Sequence, residues 1–493
     1  MVEGLDKILN VKQIREADKH TIQSLNIPSV ELMEKAANAF VAAFLAQVSI
    51  DKKIAVVCGV GNNGGDGFAV ARLLQAHGYK VEAFLVQYRK ELSADCQINF
   101  DKFQTSSTIT HTSDIPNFNE FDVVIDAVFG SGLSKPIKGI AAEVIDAINY
   151  STTQVFAIDI PSGMNCDELS DSEHIIQSDV TITFQRPKLS FFFPESGKYL
   201  KKWQVVSIGL DEVFIQEQYS NAFVLNHKVE DLVQARERIS HKGTYGHALV
   251  IAGSHGSMGA AVLSTKACLR SGTGLVTSYI PECGYEIMQI SVPEAMCMTD
   301  EHEFTVTELP DISKFNVVGI GPGLGNTLAT YKVVKELFKK FDKPVVIDAD
   351  AINILANNMT LAKEIPENSI LTPHIKEFDR LVGASENTLQ RIEKLVEFAQ
   401  EYHCIMVLKD AYTCIASPKG ELFFNTSGNS GMATGGSGDV LTGIITGLLA
   451  QGYEPLHAAI IGVYHHGVAG DVAASKKGYH ELIASDIIEN FKI

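Results

Sequence analysis

Asp439 sits in SGMATGGSGDVL (430–441), where four glycines and several small hydroxyl residues precede an apolar stretch of helical spacing. Backbone N–H groups of Gly435, Gly436, Ser437 and Gly438, at the start of the predicted helix DVLTGIITGLLAQG, can form an anion hole. Such a hole stabilises negative charge that grows on a phosphoryl group during transfer. Asp439 would then accept the proton of the hydroxyl that attacks phosphorus. The plainer alternative is a first-turn aspartate favoured by the helix dipole, but capping alone does not call for such glycine density.

A second loop, GVGNNGGDG (59–67), follows the apolar run KIAVVC and precedes a helical pattern. Its glycines let the backbone approach a ligand closely, and Asn62, Asn63 and Asp66 add amide and carboxylate groups. Two later strand ends are polar as well: Asp126 in VIDAVFGSGL, and Asp159 with Ser162 in AIDIPSG. In a parallel sheet the C-terminal strand ends share one crevice, so these groups are expected to converge. An asparagine oxygen, an aspartate and a serine would there hold a hard cation weakly. Aspartates that merely cap helices and satisfy loop amides are the alternative; three strand ends with this chemistry exceed what caps require.

The second half carries further nucleotide-site candidates. Gly321–Gly325 in GIGPGLG permit close backbone approach, and Lys409, after CIMVL, would meet phosphate oxygens. Thr372, His374 and Glu377 in LTPHIKEF follow another strand end, although a lone histidine is more often structural than catalytic.

Elements of α/β type must position these groups. Apolar runs at 53–59, 80–86, 121–130, 155–163 and 179–184 read as strands covered on both faces. Helical patterns lie between them, and residues 29–48 form another behind the start signal Pro28-Ser29. After a polar, irregular stretch the pattern resumes with HALVIAGS (247–254), GLVTSYIP, FNVVGIGPGLG, PVVIDAD, SILTPH, CIMVLKD and TCIAS. No repeat links the halves, which predicts two independent α/β domains, 1–224 and 225–493.

The 493 residues suit a protein with more than one core, and the formal net charge of −18 argues against a nucleic-acid or anionic-membrane surface. No apolar run approaches the roughly 20 residues needed to span a bilayer. Eight scattered cysteines with no C-x-x-C pair read as reduced thiols of a cytoplasmic protein.

The stretches LMEKAANAF, GNNGGDGFAVARLL, DAVFGSGL and AIDIPSG resemble the YjeF N-terminal domain, the NAD(P)H-hydrate epimerase, over roughly residues 8–215. The resemblance implies a Rossmann-like three-layer sandwich that binds hydrated nicotinamide nucleotide. It implies K+ at Asn63, Asp126 and Ser162. It further implies substrate contacts from Asn62, Asn63, Gly64, Gly65 and Asp66, from Gly130, Ser131, Gly132, Leu133, Ser134, Lys135 and Pro136, and from Asp159. Asp159 is also the expected proton-transfer residue. Val60 stands where that family often has proline.

From 235 to 490, HKGTYGHALVIAGSHGSMGAAVLS, GIGPGLG, VIDADAINIL, LTPHIKEF and NSGMATGGSGDVLTGII resemble the ADP- or ATP-dependent NAD(P)H-hydrate dehydratase, a ribokinase-like domain. By motif, Ala261, Gly323, His374 and Asp439 would meet the hydrate. Lys409, Asp410, Ala411, Tyr412 and Thr413 would hold the nucleotide with Asn429, Ser430, Gly431, Met432, Ala433, Thr434, Gly435, Gly436, Ser437 and Gly438. Asp410 replaces the small residue often found after that lysine.

Together the resemblances imply repair of NADH and NADPH in which water has added to the nicotinamide ring, leaving a C6 hydroxyl of either configuration. The first domain would interconvert R and S epimers. The second would phosphorylate the S hydroxyl and eliminate phosphate, with ADP and Mg2+ expected and AMP and phosphate released. A homo-oligomer is expected. Two rival readings are a ribokinase-like small-molecule kinase for the second domain and a non-catalytic binding module for the first.

Overall fold

The computed structural model describes residues 4–493 apart from Ser134. Two compact units emerge: one spans Lys7–Ser220, the other residues 221–493 with the segment before Lys7. Leu5 is buried in the core of the second unit, and Asp6 accepts a hydrogen bond from Asn226 Nδ2 at 2.9 Å.

In the first unit every continuous apolar run becomes a strand. Lys53–Cys58, Lys80–Val86, Val123–Ala127, Gln154–Ile158 and Val180–Phe184 are joined by Ser106–Ile109 and Trp203–Val206 in one fully parallel sheet. Numbered along the chain, the spatial order is 3-2-1-4-5-6-7. This is the Rossmann-like arrangement, and its strand order reverses between Lys53–Cys58 and Val123–Ala127. Separate apolar clusters, one around Phe40, Phe44 and Phe68 and one around Val144, Ile145 and Ile148, hold helices to the sheet.

The expected run 121–130 is shorter as a strand. Val128, Phe129 and Gly130 leave the sheet at its C-terminal end and turn over the first glycine loop. The two edge strands escaped prediction because SSTI and WQVV are half-exposed and lack an apolar run.

In the second unit the predicted strands form His247–Ile251, Leu275–Ile280, Val317–Ile320, Val345–Ile347, Ile370–Leu371 and Ile405–Leu408, all parallel. The sheet continues through an antiparallel pair, Cys414–Ala416 and Leu422–Phe424, to Ala222–Val224 at one side and ends at Met296–Thr299 on the other. The helix Ser437–Ala450 is apolar almost all round, and its residues from Val440 to Ala450 are buried. A helix with no polar face must lie inside a layered core, and here it packs against Met258–Arg270. No helix among the described residues is long and apolar enough to cross a membrane.

Candidate active sites

The first site lies at the point where the strand order reverses. After Cys58 the chain must turn within a few residues into the helix Asn62–Ala76. Gly64 makes this possible, because a Cβ there would lie 1.8 Å from the Gly59 carbonyl oxygen. Gly64 and Gly65 are buried in the helix's first turn, whereas Asn62, Asn63 and Asp66 line a cavity of about 760 Å³. Gly130, Ser131, Gly132, Leu133, Lys135, Pro136 and Asp159 line the same cavity, so the three strand ends converge as expected. Ser134 falls outside the described residues.

Beneath the cavity, Asp126 is fully buried. Its carboxylate accepts from Ser162 Oγ at 2.6 Å, from Ser162 N at 2.7 Å and from Val128 N at 3.2 Å. Ser162 Oγ in turn accepts from Phe129 N at 2.7 Å, and Asn63 Nδ2 donates to Phe129 O at 3.0 Å. Asn63 and Ser162 thus meet at Phe129, and Asp126 joins them through Ser162; the ligand atoms that Asn63 Oδ1, Asp126 and Ser162 would offer a cation are oxygens. Burial pushes the Asp126 carboxyl up to about 6, against the pull of its three hydrogen bonds. A buried carboxylate with oxygen neighbours and, among the described residues, no paired lysine or arginine fits an alkali cation.

Asp159 adopts a left-handed backbone conformation, φ +66°, unusual outside glycine. Its Oδ1 accepts three bonds: from Lys188 Nζ at 2.7 Å, Thr183 Oγ1 at 3.1 Å and Phe184 N at 3.0 Å. Its Oδ2 has no hydrogen bond among the described residues, and Asp159 lines the cavity. Sequence reasoning missed Lys188, only 1% exposed, and Asp18 on the helix Val11–Leu25. Lys188 follows a strand end and carried the same signal as Asp159. Asp18 reads in sequence like any residue on a solvated helix face.

In the second unit Asp439 lies in the first turn of Ser437–Ala450, but the residue at the helix start is Gly436, with φ +89°. Asp439 therefore does not cap the helix, and its carboxyl makes no hydrogen bond among the described residues. Burial raises that carboxyl to about 6, helped by the charges of Asp348, Asp350 and Glu377 and opposed by Lys409. Lys409 Nζ lies 2.8 Å from Asp348 Oδ1, and Thr442 Oγ1 donates to Asp348 Oδ2 at 2.7 Å. A Cβ on Gly438 would stand 3.1 Å from Lys409 Nζ. The lysine expected to meet phosphates thus sits beside the N–H groups expected to form the anion hole.

His374 precedes the helix Ile375–Val382 and caps it: its Nδ1 accepts from Lys376 N at 3.1 Å and Glu377 N at 3.2 Å. A parallel bridge between His374 and Lys409 brings both residues to one crevice at neighbouring strand ends. Gly323 O accepts from Ser254 Oγ at 2.8 Å, which ties the loop Gly321–Gly325 to the loop before Met258–Arg270. Ala261, in that helix, is fully buried. On the far part of the glycine loop, Asn429 donates to Asp471 Oδ1 at 2.9 Å and starts the short turn Ser430–Met432. Asp410 is exposed and accepts from Ala411 N at 2.8 Å. Asp348, Asp350 and Thr442 were not assigned a role from sequence, although the first two stand in VIDADAINIL, at a strand end.

Comparison with known proteins matches residues 29–190 to the family described as YjeF-related protein N-terminus, and residues 248–492 to the family described as NAD(P)H-hydrate dehydratase. A bifunctional NAD(P)H-hydrate repair enzyme from Moorella thermoacetica is 35% identical over 98% of this chain and 95% of its own length. The Escherichia coli enzyme of the same name is 31% identical over 97% of this chain and 92% of its own. A solved Bacillus subtilis ADP/ATP-dependent NAD(P)H-hydrate dehydratase, co-crystallised with ATP and Mg2+, is 32% identical; the match covers 54% of this chain and 94% of that one, with TM-score 0.48. By its two family matches and its full-length relatives, this chain belongs to the bifunctional NAD(P)H-hydrate repair enzymes.

Proposed function

We propose that the chain returns hydrated NADH and NADPH to use in two steps, one in each unit. The unit Lys7–Ser220 interconverts the R and S forms at C6; the second unit dehydrates S at the expense of ADP, giving AMP and phosphate. The observation that carries this reading is the convergence of Asn62, Asp66, residues 130–133, Lys135, Pro136 and Asp159 on one cavity at the sheet's reversal point. Asp439, without a hydrogen bond among the described residues and near the Lys409 charge at the start of an apolar buried helix, supports the second activity.

In the second unit the S hydroxyl attacks the terminal phosphoryl group of ADP while Asp439 takes its proton. N–H groups of Gly435–Gly438 and the Lys409 ammonium receive the charge that develops on phosphorus. Phosphate is a far better leaving group than hydroxide, so loss of phosphate from C6 and of a proton from C5 restores the dihydronicotinamide. Mg2+, when bound, would neutralise nucleotide phosphate charge. Ala261 and Gly323 belong with His374 on the hydrate side, and Lys409–Thr413 with Asn429–Gly438 on the nucleotide side.

In the first unit K+ belongs to Asn63, Asp126 and Ser162, where it would supply the positive charge that the buried carboxylate lacks. The protein is read as cytoplasmic and homo-oligomeric. Chromatography of mixed R and S NADH hydrate, incubated with the protein, Mg2+ and ADP and then with ATP in place of ADP, tests the whole reading. Loss of both epimers with matching NADH and phosphate is expected. A stable phosphorylated product would point to a kinase, and loss of S alone would leave the first unit without its activity.

A further inference from the structure

The helix Val11–Leu25 lies outside the residues matched to either family, 29–190 and 248–492, yet it forms part of the cavity wall. It contributes Ile14, Arg15, Asp18 and Ile22 to the lining. Arg15 reaches the loop Gly130–Pro136, since its Nη2 lies 3.0 Å from where a Cβ on Gly132 would stand. Asp18 therefore belongs to the same chamber as Asp159 and Lys188.

The two carboxyls differ in their hydrogen bonding. Asp159 Oδ1 is held by Lys188 Nζ, Thr183 Oγ1 and Phe184 N, an arrangement suited to a carboxylate. Asp18 makes no hydrogen bond among the described residues, and burial together with the Asp159 charge raises its carboxyl to about 6, against the pull of Lys188 and Arg15. Asp66, another carboxyl of this cavity, is pushed well above the ordinary range by burial first and then by the charges of Asp159, Asp18 and Asp95. One cavity thus holds a carboxylate anchored by three donors and a second carboxyl with none among the described residues, an arrangement that offers distinct acid and base roles.

Resting on the epimerase reading above, we propose that Asp18 is a second catalytic residue of the first unit, the proton donor that works with Asp159 across the bound ring. C6 of the hydrate carries the hydroxyl and is bonded to N1. Asp159 Oδ2 takes the hydroxyl proton, and the O–H electron pair forms the C6=O bond. The C6–N1 bond breaks with its electrons going to N1, which takes the Asp18 proton. Rotation about C5–C6 offers the other face of the aldehyde. N1 adds back to C6, its proton returns to Asp18, and the Asp159 proton returns to oxygen. The product is the opposite epimer, and both carboxyls are reset without an external reactant.

The test uses the full chain with R-NADH hydrate and no nucleotide, and chromatography follows the appearance of S above the uncatalysed background. Asp18→Asn should lower kcat about 100-fold or more with KM little changed, while its melting temperature matches the parent. Asp18→Glu should recover part of the rate. In the parent, kcat should fall as pH rises past about 6, and Asp18→Asn should lack that limb. Oxygen-18 placed at C6 should stay in the product. Parental kcat in Asp18→Asn, a loss confined to KM, or release of the label to solvent would overturn the proposal. A parent protein unable to exchange R and S would instead overturn the epimerase reading on which it rests.

Discussion

Lys409 and Asp348 form an ion pair of 2.8 Å in which the carboxylate is 1% exposed and the lysine 21%. Thr442 holds the second carboxylate oxygen, so Asp348 fixes where the ammonium points. Lys409→Met would leave a buried carboxylate without its partner, a change that costs about 3 kcal/mol or more. The double variant Lys409→Met/Asp348→Asn should recover most of that stability in urea denaturation and yet remain inactive as a dehydratase. Recovery of activity together with stability would mean that Lys409 serves the fold alone.

Asp439→Asn removes the proposed base while keeping the size of the side chain. Because the carboxyl makes no hydrogen bond among the described residues, folding and nucleotide binding should survive. Conversion of S-NADH hydrate should fall about 10³-fold, which corresponds to ~4 kcal/mol of transition-state stabilisation. Calorimetry of ADP binding beside the rate assay separates the two effects, and near-parental turnover would remove Asp439 from the mechanism.

The same group sets a pH dependence. Burial raises Asp439 to about 6, above the ordinary carboxylate range. A base must be ionised to act, so kcat/KM for dehydration should be full above about pH 6 and fall about tenfold per unit below it. Lys409 opposes the shift, and its replacement by Met should therefore move the acid limb of any residual activity to higher pH. A limb that stays in place would show that another group controls it.

Much of this was legible because sheets covered on both faces demand continuous apolar runs, and polar residues at the ends of such runs stand out. Asp126, Asp159, Ser162 and Lys409 were singled out in that way, and Asp439 by the glycine-rich loop that opens an apolar helix. Trp203–Val206 and Ser106–Ile109 were not, since an edge strand with exposed side chains writes no such run. Asp18 was hidden for a related reason: on an amphipathic helix a cavity-facing carboxylate and a solvent-facing one have the same spacing. Asp348 shows another limit, because an ion pair with a lysine 61 residues away depends on strand order, which periodicity does not encode.

Two neighbouring glycines of the second loop should respond differently to alanine. At Gly436, φ is +89° and a Cβ would lie 2.4 Å from Leu263 Cδ1, so Gly436→Ala combines backbone strain with overpacking. About 2 kcal/mol of stability should be lost. At Gly438 the nearest atom to an added Cβ is Lys409 Nζ, 3.1 Å away, at the end of a flexible side chain. Gly438→Ala should melt near the parent temperature but lose dehydratase rate, because the methyl group pushes the ammonium away from the phosphoryl position. Equal melting temperatures for both variants would contradict this division.

K+ should act on the first unit through Asp126. The buried carboxyl, raised to about 6, is protonated below that pH and charged above it. A cation binds the charged form, so binding releases the proton and stabilises the fold according to its concentration. Replacing choline chloride by KCl at equal ionic strength should raise the melting temperature and the rate of R/S exchange above about pH 6. The effect should fade as pH falls through that value, and Asp126→Asn should abolish it at every pH. A K+ response that survives in Asp126→Asn, or that strengthens in acid, would place the cation elsewhere.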